Sequence, residues 1–271
     1  MIRPRDLAAR AALAIGFAVM LALLVVPIAA LLLRVHAGTL FARLLEPEIL
    51  AALRLSIVTS VAATTIVVAG GLPLAYVLAR RDFPGKRVLE VLVDLPMVLP
   101  PTVAGFALLL AFGRAGIAGR ALEVFGVSLP FTTLGVIVAQ AFMSAPFFIG
   151  AARAGIAGVD PRYLDAAATL RASELDTFFR VVLPLSMPTL IAGAAMSGAR
   201  ALGEFGATIT FAGNLPGTTQ TMPLAVYVAL QSDLDAAIVL SVVLLAIAFT
   251  LLFWLRRPGS KGVPVVARAG R

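Results

Sequence analysis

Two opposite charges, Arg200 and Glu204, stand within a long apolar run of the chain, residues 185–211. Four residues apart on a helix, they would share one face and could form an ion pair. A charge near the centre of a membrane-spanning helix costs about 2.5–3.5 kcal/mol on insertion scales, so both side chains must face protein or water. Two interpretations are open: a neutralising pair that joins helices, or part of a gate or path for a polar solute. Intramembrane charge favours the second.

A second interruption lies in the apolar run 89–112, which contains Pro96, Pro100 and Pro101. Proline removes a backbone donor and breaks helices, and in lipid such a break is tolerated only against protein or a water-filled path. The prolines therefore indicate either a discontinuity that lines a pathway or a packing kink. The residues that we predict to form the path or gate are Pro100, Pro101, Thr102, Ser197, Arg200, Glu204 and Thr208.

A polar segment, residues 160–184, separates two apolar runs and carries two helix-start signals. Asp160 precedes Pro161 at a first helical position, and Ser173 precedes Asp176 by three residues. Because a loose connector has no need of two consecutive caps, we predict two short, rigid helices.

The first of these helices would align Tyr163, Ala167 and Leu170 on one face. The neighbouring alanines keep its surface thin, so that another protein could approach closely. The helix is either a docking site for a partner protein or a capped connector that lies on the membrane surface.

Composition makes the chain an integral membrane protein. Of its 271 residues, 61% are hydrophobic and 13% charged, and the mean hydropathy is +1.02, more apolar than a soluble core requires. The absence of cysteine excludes disulfides and thiolate metal sites, and a single histidine, His36, excludes a histidine-based metal centre. The net charge of +8 could suggest nucleic acid, but the basic residues stand at the ends of apolar runs, as in membrane topology. We therefore expect membrane lipid as a partner, with no nucleic acid and no cofactor.

The pattern predicts an all-α protein with about six transmembrane helices, each long enough to cross a hydrocarbon core of about 30 Å. A secretory signal peptide is the alternative for the first run, but that run is longer than such a peptide and ends at Arg34. Most basic residues follow the second, fourth and sixth runs or precede the first, which predicts that both termini are cytoplasmic. The predicted spans are 11–33, 55–79, 89–112, 132–152, 185–211 and 236–255.

Two short motifs carry a resemblance to a known family. Asp165-Ala166-Ala167 and the later Val181-Val182-Leu183-Pro184 resemble the cytoplasmic loop of the membrane subunits of type I ABC importers, which has Glu-Ala-Ala, then a glycine, then an Ile-x-Leu-Pro ending. Two positions differ, since Asp165 replaces the glutamate and Arg171 stands at the usual glycine. The resemblance implies the permease fold of this class and docking of an ATPase at Asp160, Tyr163, Leu164, Asp165, Ala166, Ala167, Leu170 and Arg171.

The run Ala199–Thr208, with 212–214 and 216–221 after it, is similar to the molybdate permeases of the sulfate/molybdate oxyanion permease family. This resemblance implies a subunit of an ATP-driven importer of molybdate or tungstate in a prokaryotic inner membrane, with sulfate or thiosulfate as the alternative cargo. The implied partners are a cytoplasmic pair of ABC ATPase subunits and an external oxyanion-binding protein, periplasmic or lipid-anchored. A second copy of the chain is expected because six spans are few for a gated route and homo-oligomers favour two-fold closure.

The domain organisation follows from these motifs. Residues 1–49 would hold an N-terminal tail, the first span and an outer loop, and 50–255 the type I transmembrane core. The loop 153–184 would couple this core to the ATPase, and 256–271 would be a basic cytoplasmic tail.

Chemistry that the sequence lacks also limits its function. No phosphate-binding loop of the form Gly-x-x-x-x-Gly-Lys-Ser/Thr occurs, so the chain is predicted not to be an enzyme and to receive energy from another polypeptide. A membrane-embedded enzyme would need convergent catalytic groups, and none are recognised. An ion-coupled secondary transporter is the remaining alternative, and it would carry carboxylates deep in several spans. Only Glu204 is expected to qualify.

Overall fold

The computed structural model describes residues 4–255, and the predicted basic tail 256–271 lies outside this range. The described residues form thirteen α-helices and one π-helical turn, Phe178–Val182. The helices are α1 (Pro4–Arg34), α2 (Ala37–Leu44), α3 (Pro47–Arg80), α4 (Lys86–Val98), α5 (Pro101–Phe112), α6 (Gly119–Val124), α7 (Thr133–Ala157), α8 (Pro161–Thr169), α9 (Glu174–Thr177), α10 (Leu183–Leu202), α11 (Gly206–Ala212), α12 (Met222–Ser232) and α13 (Leu234–Leu255).

Within residues 4–255, five helical stretches are long and apolar enough to cross a membrane. The α4–α5 pair brings the number to six if it counts as one span broken by a bend of 120°. This confirms the predicted all-α membrane protein with about six spans.

The centre of the bundle is formed by α3, α7 and α10, which pack closely through small residues. A Cβ atom on Gly193 would lie 2.7 Å from the Cβ of Ala151, and one on Gly155 would lie 2.8 Å from the Cβ of Thr189. Residue numbers therefore rise along α10 as they fall along α7, so the two helices are antiparallel. Small residues at such contacts let backbones approach closely in a membrane, where van der Waals packing drives association.

The fifth predicted span, 185–211, is wrong at both ends. The helical stretch begins earlier, at Glu174, and continues through the π-helical turn into α10, which ends at Leu202. The chain is irregular over 203–205 and then forms the separate helix α11. Glycines at 203 and 206, with a side chain at 204 that can cap a helix, allow the break that apolar periodicity did not reveal.

The third predicted span, 89–112, is interrupted as its prolines suggested. Helix α4 ends at Val98, and α5 starts at Pro101, where a missing backbone N–H costs nothing. The carbonyl oxygen of Pro100 accepts from the amide of Ala104, the first turn of α5. The discontinuity is therefore present, and its part in a pathway stays a prediction.

Candidate functional site

The breaks in the third and fifth spans meet in space. A Cβ atom on Gly206, the first residue of α11, would lie 2.6 Å from the Cβ of Pro101, the first residue of α5. One turn further along α5, a Cβ on Gly105 would lie 2.7 Å from the carbonyl oxygen of Ala207. Only glycine fits at these contacts, so two irregular backbone stretches are held side by side. Irregular backbone at membrane depth persists only where protein or water satisfies it.

Arg200 and Glu204 form an ion pair across the break in the fifth span. The Nη2 atom of Arg200 lies 2.5 Å from Oε2 of Glu204, and Oε1 of the same carboxylate accepts from the amide of Ala207 at 2.9 Å. Glu204 is fully buried, whereas the Arg200 side chain is 28% exposed. The prediction that both residues share one face of a continuous helix is wrong, because α10 ends at Leu202. The pairing itself is present.

The start of α5 lies uncovered at the same place. Pro100, Pro101 and Thr102 are all exposed, and no side chain caps this end of the helix. Lipid offers no partner for a free backbone N–H or for a hydroxyl. This surface therefore requires water or another protein chain against it.

Buried polar side chains surround the breaks. Ser197 and Thr208 are fully buried, and their hydroxyl oxygens have no hydrogen-bond partner among residues 4–255. The amide of Gln140 on α7 is equally buried and unpartnered, although Gln140 is absent from the predicted path residues. Continuing the antiparallel pairing of α7 with α10 places Gln140 level with Glu204. Polar groups in such a position normally bind ordered water.

Two carboxylates in the third span went unrecognised in the sequence. Oε1 of Glu90 lies 3.1 Å from Nη1 of Arg153, and Asp94 follows one turn later, exposed and without a cationic partner in the described chain. Glu204 is therefore not the only carboxylate within the predicted spans, and the expectation that it alone could serve an ion-coupled transporter stays a prediction. The signal was available as two acidic residues four apart inside a predicted span.

The predicted helix starts of the polar segment are confirmed. Oδ1 of Asp160 accepts from the amide of Arg162 at 2.9 Å, and Oγ of Ser173 accepts from the amide of Asp176 at 3.1 Å. The hydroxyl of Ser173 in turn donates to the Asp176 carboxylate at 2.7 Å. Both short helices, α8 and α9, therefore begin at the capping residues that the sequence indicated.

The predicted docking face of α8 is only partly accessible. Tyr163 and Leu170 are 55% and 81% exposed, but Ala167 is only 6% exposed. Ala167, one of the predicted docking residues, is thus covered by the chain itself, and docking of a partner at α8 stays a prediction. Leu164 is half-buried against the main core and anchors the helix. The remaining predicted docking residues are exposed, namely Asp160, Asp165, Ala166 and Arg171.

Arg171 adopts the left-handed backbone conformation, with φ of 53°. It is the residue that reverses the chain after α8: its amide donates to the carbonyl of Ala168 at 2.9 Å, and the amide of Ala172 donates to that of Ala167 at 3.0 Å. These two bonds form a Schellman motif, whose left-handed position favours glycine. The left-handed conformation explains why the similar loops of type I importers carry glycine at this position. This chain has arginine there, at a conformational cost.

Arginines at the end of α3 fasten the 153–184 loop to the bundle. Nη2 of Arg81 lies 2.8 and 2.7 Å from the two carboxylate oxygens of Glu174, and Nη2 of Arg80 donates to the carbonyl of Ile156 at 2.8 Å. The loop is therefore attached both covalently to α7 and laterally to α3.

Comparisons with known proteins place this architecture in a family. Residues 71–257 match the model of the binding-protein-dependent transport system inner membrane component. The chain is 45% identical to the molybdenum transport system permease protein ModB of Mycobacterium tuberculosis, over 82% of this chain and 84% of that protein. It is 40% identical to the sulfate transport system permease protein CysT of Salmonella typhimurium, over 77% and 76%.

Among solved structures, a chain of a bacterial ABC transporter that imports the acidic polysaccharide alginate has the same fold. Its TM-score is 0.75 with 17% identity, and the match covers 94% of this chain and 97% of that one. The family model matches more than half of the sequence, and the matched residues include both broken spans and the polar segment 160–184 with its two helix caps. The chain belongs to the family of binding-protein-dependent transport system inner membrane components.

Proposed function

We propose that this chain is the permease subunit of an ATP-driven importer of molybdate or the similarly shaped tungstate. The observation that carries the proposal is the meeting of two broken spans beside Arg200 and Glu204, at a surface that lipid cannot cover. Broken helices at membrane depth are typical of transport pathways. The 45% identity to a molybdenum permease supports the cargo, and the 40% identity to a sulfate permease makes sulfate the second candidate.

Arg200 supplies the attraction for an oxyanion, and Glu204 limits it. A guanidinium has five N–H donors, and the Arg200 side chain is partly exposed while Glu204 engages one of its edges. An unopposed cation would hold a doubly charged anion tightly and prevent its release. A path needs binding that is strong enough to admit the ion and weak enough to let it leave.

The partners follow from the surfaces that the single chain leaves open. A second copy facing the exposed start of α5 would enclose a central route. Tyr163 and Leu170 would dock into a cytoplasmic ATPase pair, whose closure moves α8 and the spans fastened to it. An external binding protein would deliver the anion, with both termini of the chain in the cytoplasm of a prokaryote and the spans in its inner membrane.

Uptake in a reconstituted system tests the cargo. The chain is incorporated into proteoliposomes with the ABC ATPase and the oxyanion-binding protein that are proposed as its partners, and uptake of labelled molybdate is measured against unlabelled tungstate or sulfate. We expect ATP-dependent molybdate uptake that tungstate inhibits and sulfate inhibits less. Stronger inhibition by sulfate would move the assignment to the second candidate, and uptake by the chain alone would reject an ATP-driven importer.

A pair of leucine substitutions tests the docking surface. Leu170→Glu places a charge on the exposed face of α8 and should abolish co-purification of the ATPase. Leu175→Glu makes the same change at a residue that is 70% exposed in the same loop but outside α8, and should leave the complex intact. Equal retention of the ATPase by both variants would contradict docking at α8.

A further inference from the structure

Asp94 is an exposed carboxylate inside the third span. Glu90, one turn earlier on α4, pairs with Arg153 at 3.1 Å, whereas Asp94 has no cationic partner among residues 4–255. The rise of a helix places Asp94 about 6 Å further along α4 than Glu90. Arg153 itself lies one turn before the end of α7 at Ala157, so Asp94 lies deeper in the membrane than this pair.

An ionised carboxylate at this depth is not stable against lipid, so it must face water or a cation of another chain. A second copy related by two-fold symmetry about the membrane normal offers the same residues at the same depth. Arg153 within α7 and Arg200 within α10 already pair with Glu90 and Glu204. Water is therefore the better environment for Asp94.

We propose that Asp94 lines the water-filled route on the cytoplasmic side of the two helix breaks, where its charge opposes the return of the transported anion. This inference rests on the proposed function and assigns a residue to the exit half of the same path. A single negative charge lowers the local concentration of a doubly charged anion about 10 Å away in water roughly fourfold. Arg200 would attract the anion at the breaks, and Asp94 would favour its departure beyond them.

The absence of cysteine from the chain makes the test direct. Single cysteines replace Asp94, Val98 and Leu92 in the assembled complex, and inverted membrane vesicles are treated with membrane-impermeant thiol reagents, one anionic and one cationic. Val98 is exposed one turn beyond Asp94, and Leu92 is exposed on the opposite side of α4. We expect both reagents to modify Asp94→Cys and Val98→Cys and neither to modify Leu92→Cys.

The charge of Asp94 is then tested with Val98→Cys as the reporter. Adding Asp94→Asn should make the anionic reagent react about threefold faster and the cationic reagent about threefold slower, the Coulomb factor for single charges about 6 Å apart in water. The proposal would be overturned if lipid or the second copy protected both cysteines from the reagents. It would also be overturned if Asp94→Asn left the reaction rates of Val98→Cys with the two reagents unchanged. The labelling involves no cargo, so its outcome is separate from the uptake experiment that tests the proposed function.

Discussion

Glu204 stabilises a helix break because its two carboxylate oxygens have different partners. One oxygen pairs with Arg200 in the last turn of α10, and the other accepts from the amide of Ala207 in the first turn of α11. A carboxylate at a helix start satisfies an orphan donor and complements the helix dipole. A single buried residue thus joins two helices that a break would otherwise leave independent.

Removal of either member of this pair should destabilise the protein strongly. Arg200→Ala leaves a fully buried carboxylate without its cation, which should cost about 3–5 kcal/mol in the free energy of unfolding. Glu204→Ala should cost a similar amount because it also removes the cap on Ala207. Both free energies are measured by SDS-induced unfolding in mixed micelles. The control is Arg54→Ala, at an exposed arginine of α3, which should change the free energy of unfolding by less than about 0.5 kcal/mol. Strictly additive costs in the double variant would show that the two side chains do not interact.

Arg171 gives a prediction of opposite sign. Arg171→Gly should stabilise the turn after α8 by about 1 kcal/mol, because glycine adopts a φ of 53° without a Cβ penalty. Arg162→Gly in the first turn of α8 is the matched control and should destabilise that helix by about 1 kcal/mol. Hydrogen exchange of the Arg171 and Ala172 amides measures the effect. Faster exchange in Arg171→Gly would mean that the arginine side chain holds the turn.

The sequence predicted single residues well where the deciding interactions are short-range. Asp160 and Ser173 cap helices as expected, since a cap depends on neighbours two or three residues away. The burial of Ala167 could not be predicted, because spacing shows which residues share a face of a helix but not how far neighbouring segments cover each of them. Asp94 was overlooked although its position inside an apolar run was visible.

At the scale of elements, the contact of α5 with α11 depends on glycine at the crossing. Gly206 meets Pro101, and Gly105 meets the backbone of Ala207 and the side chain of Thr210. Neither contact leaves space for a methyl group without displacing a helix. The prolines predicted the break before α5. The break before α11 depends instead on this tertiary contact and on Glu204, so apolar periodicity predicted one continuous helix there.

Alanine at these glycines should therefore disturb both breaks together. Gly206→Ala puts a Cβ atom 2.6 Å from the Cβ of Pro101 and should cost about 1–3 kcal/mol in stability, together with a loss of transport. Gly70→Ala on α3 is the control, since no atom lies within 4 Å of the point that its methyl group would occupy. Unfolding and uptake are measured on the same preparations. Uptake at the wild-type rate by Gly206→Ala would mean that α5 and α11 can move apart at this contact without affecting transport.

For the whole molecule, the proposed coupling to an ATPase requires that movement of the 153–184 loop is transmitted to the spans. The loop continues directly into α10, and the partly buried side chain of Leu164 packs against the core of the bundle. The contact of Arg81 with both carboxylate oxygens of Glu174 also holds the loop to α3. Both side chains of this contact are exposed, so its contribution to stability is below about 1 kcal/mol. Its value lies in geometry, because one guanidinium nitrogen of Arg81 donates to both carboxylate oxygens of Glu174 and so ties the start of α9 to the end of α3.

Charge reversal separates this geometric role from stability. Arg81→Glu and Glu174→Arg should each lower the amount of cargo moved per ATP hydrolysed while changing the unfolding free energy by less than about 1 kcal/mol. The double variant restores an opposite-charge pair and should regain coupling. Arg87→Glu makes the same charge change at an exposed arginine of α4 that has no ion-pair partner among residues 4–255, and should leave coupling unchanged. Equal losses in the single and double variants, with ATPase docking intact, would show that α9 moves independently of α3.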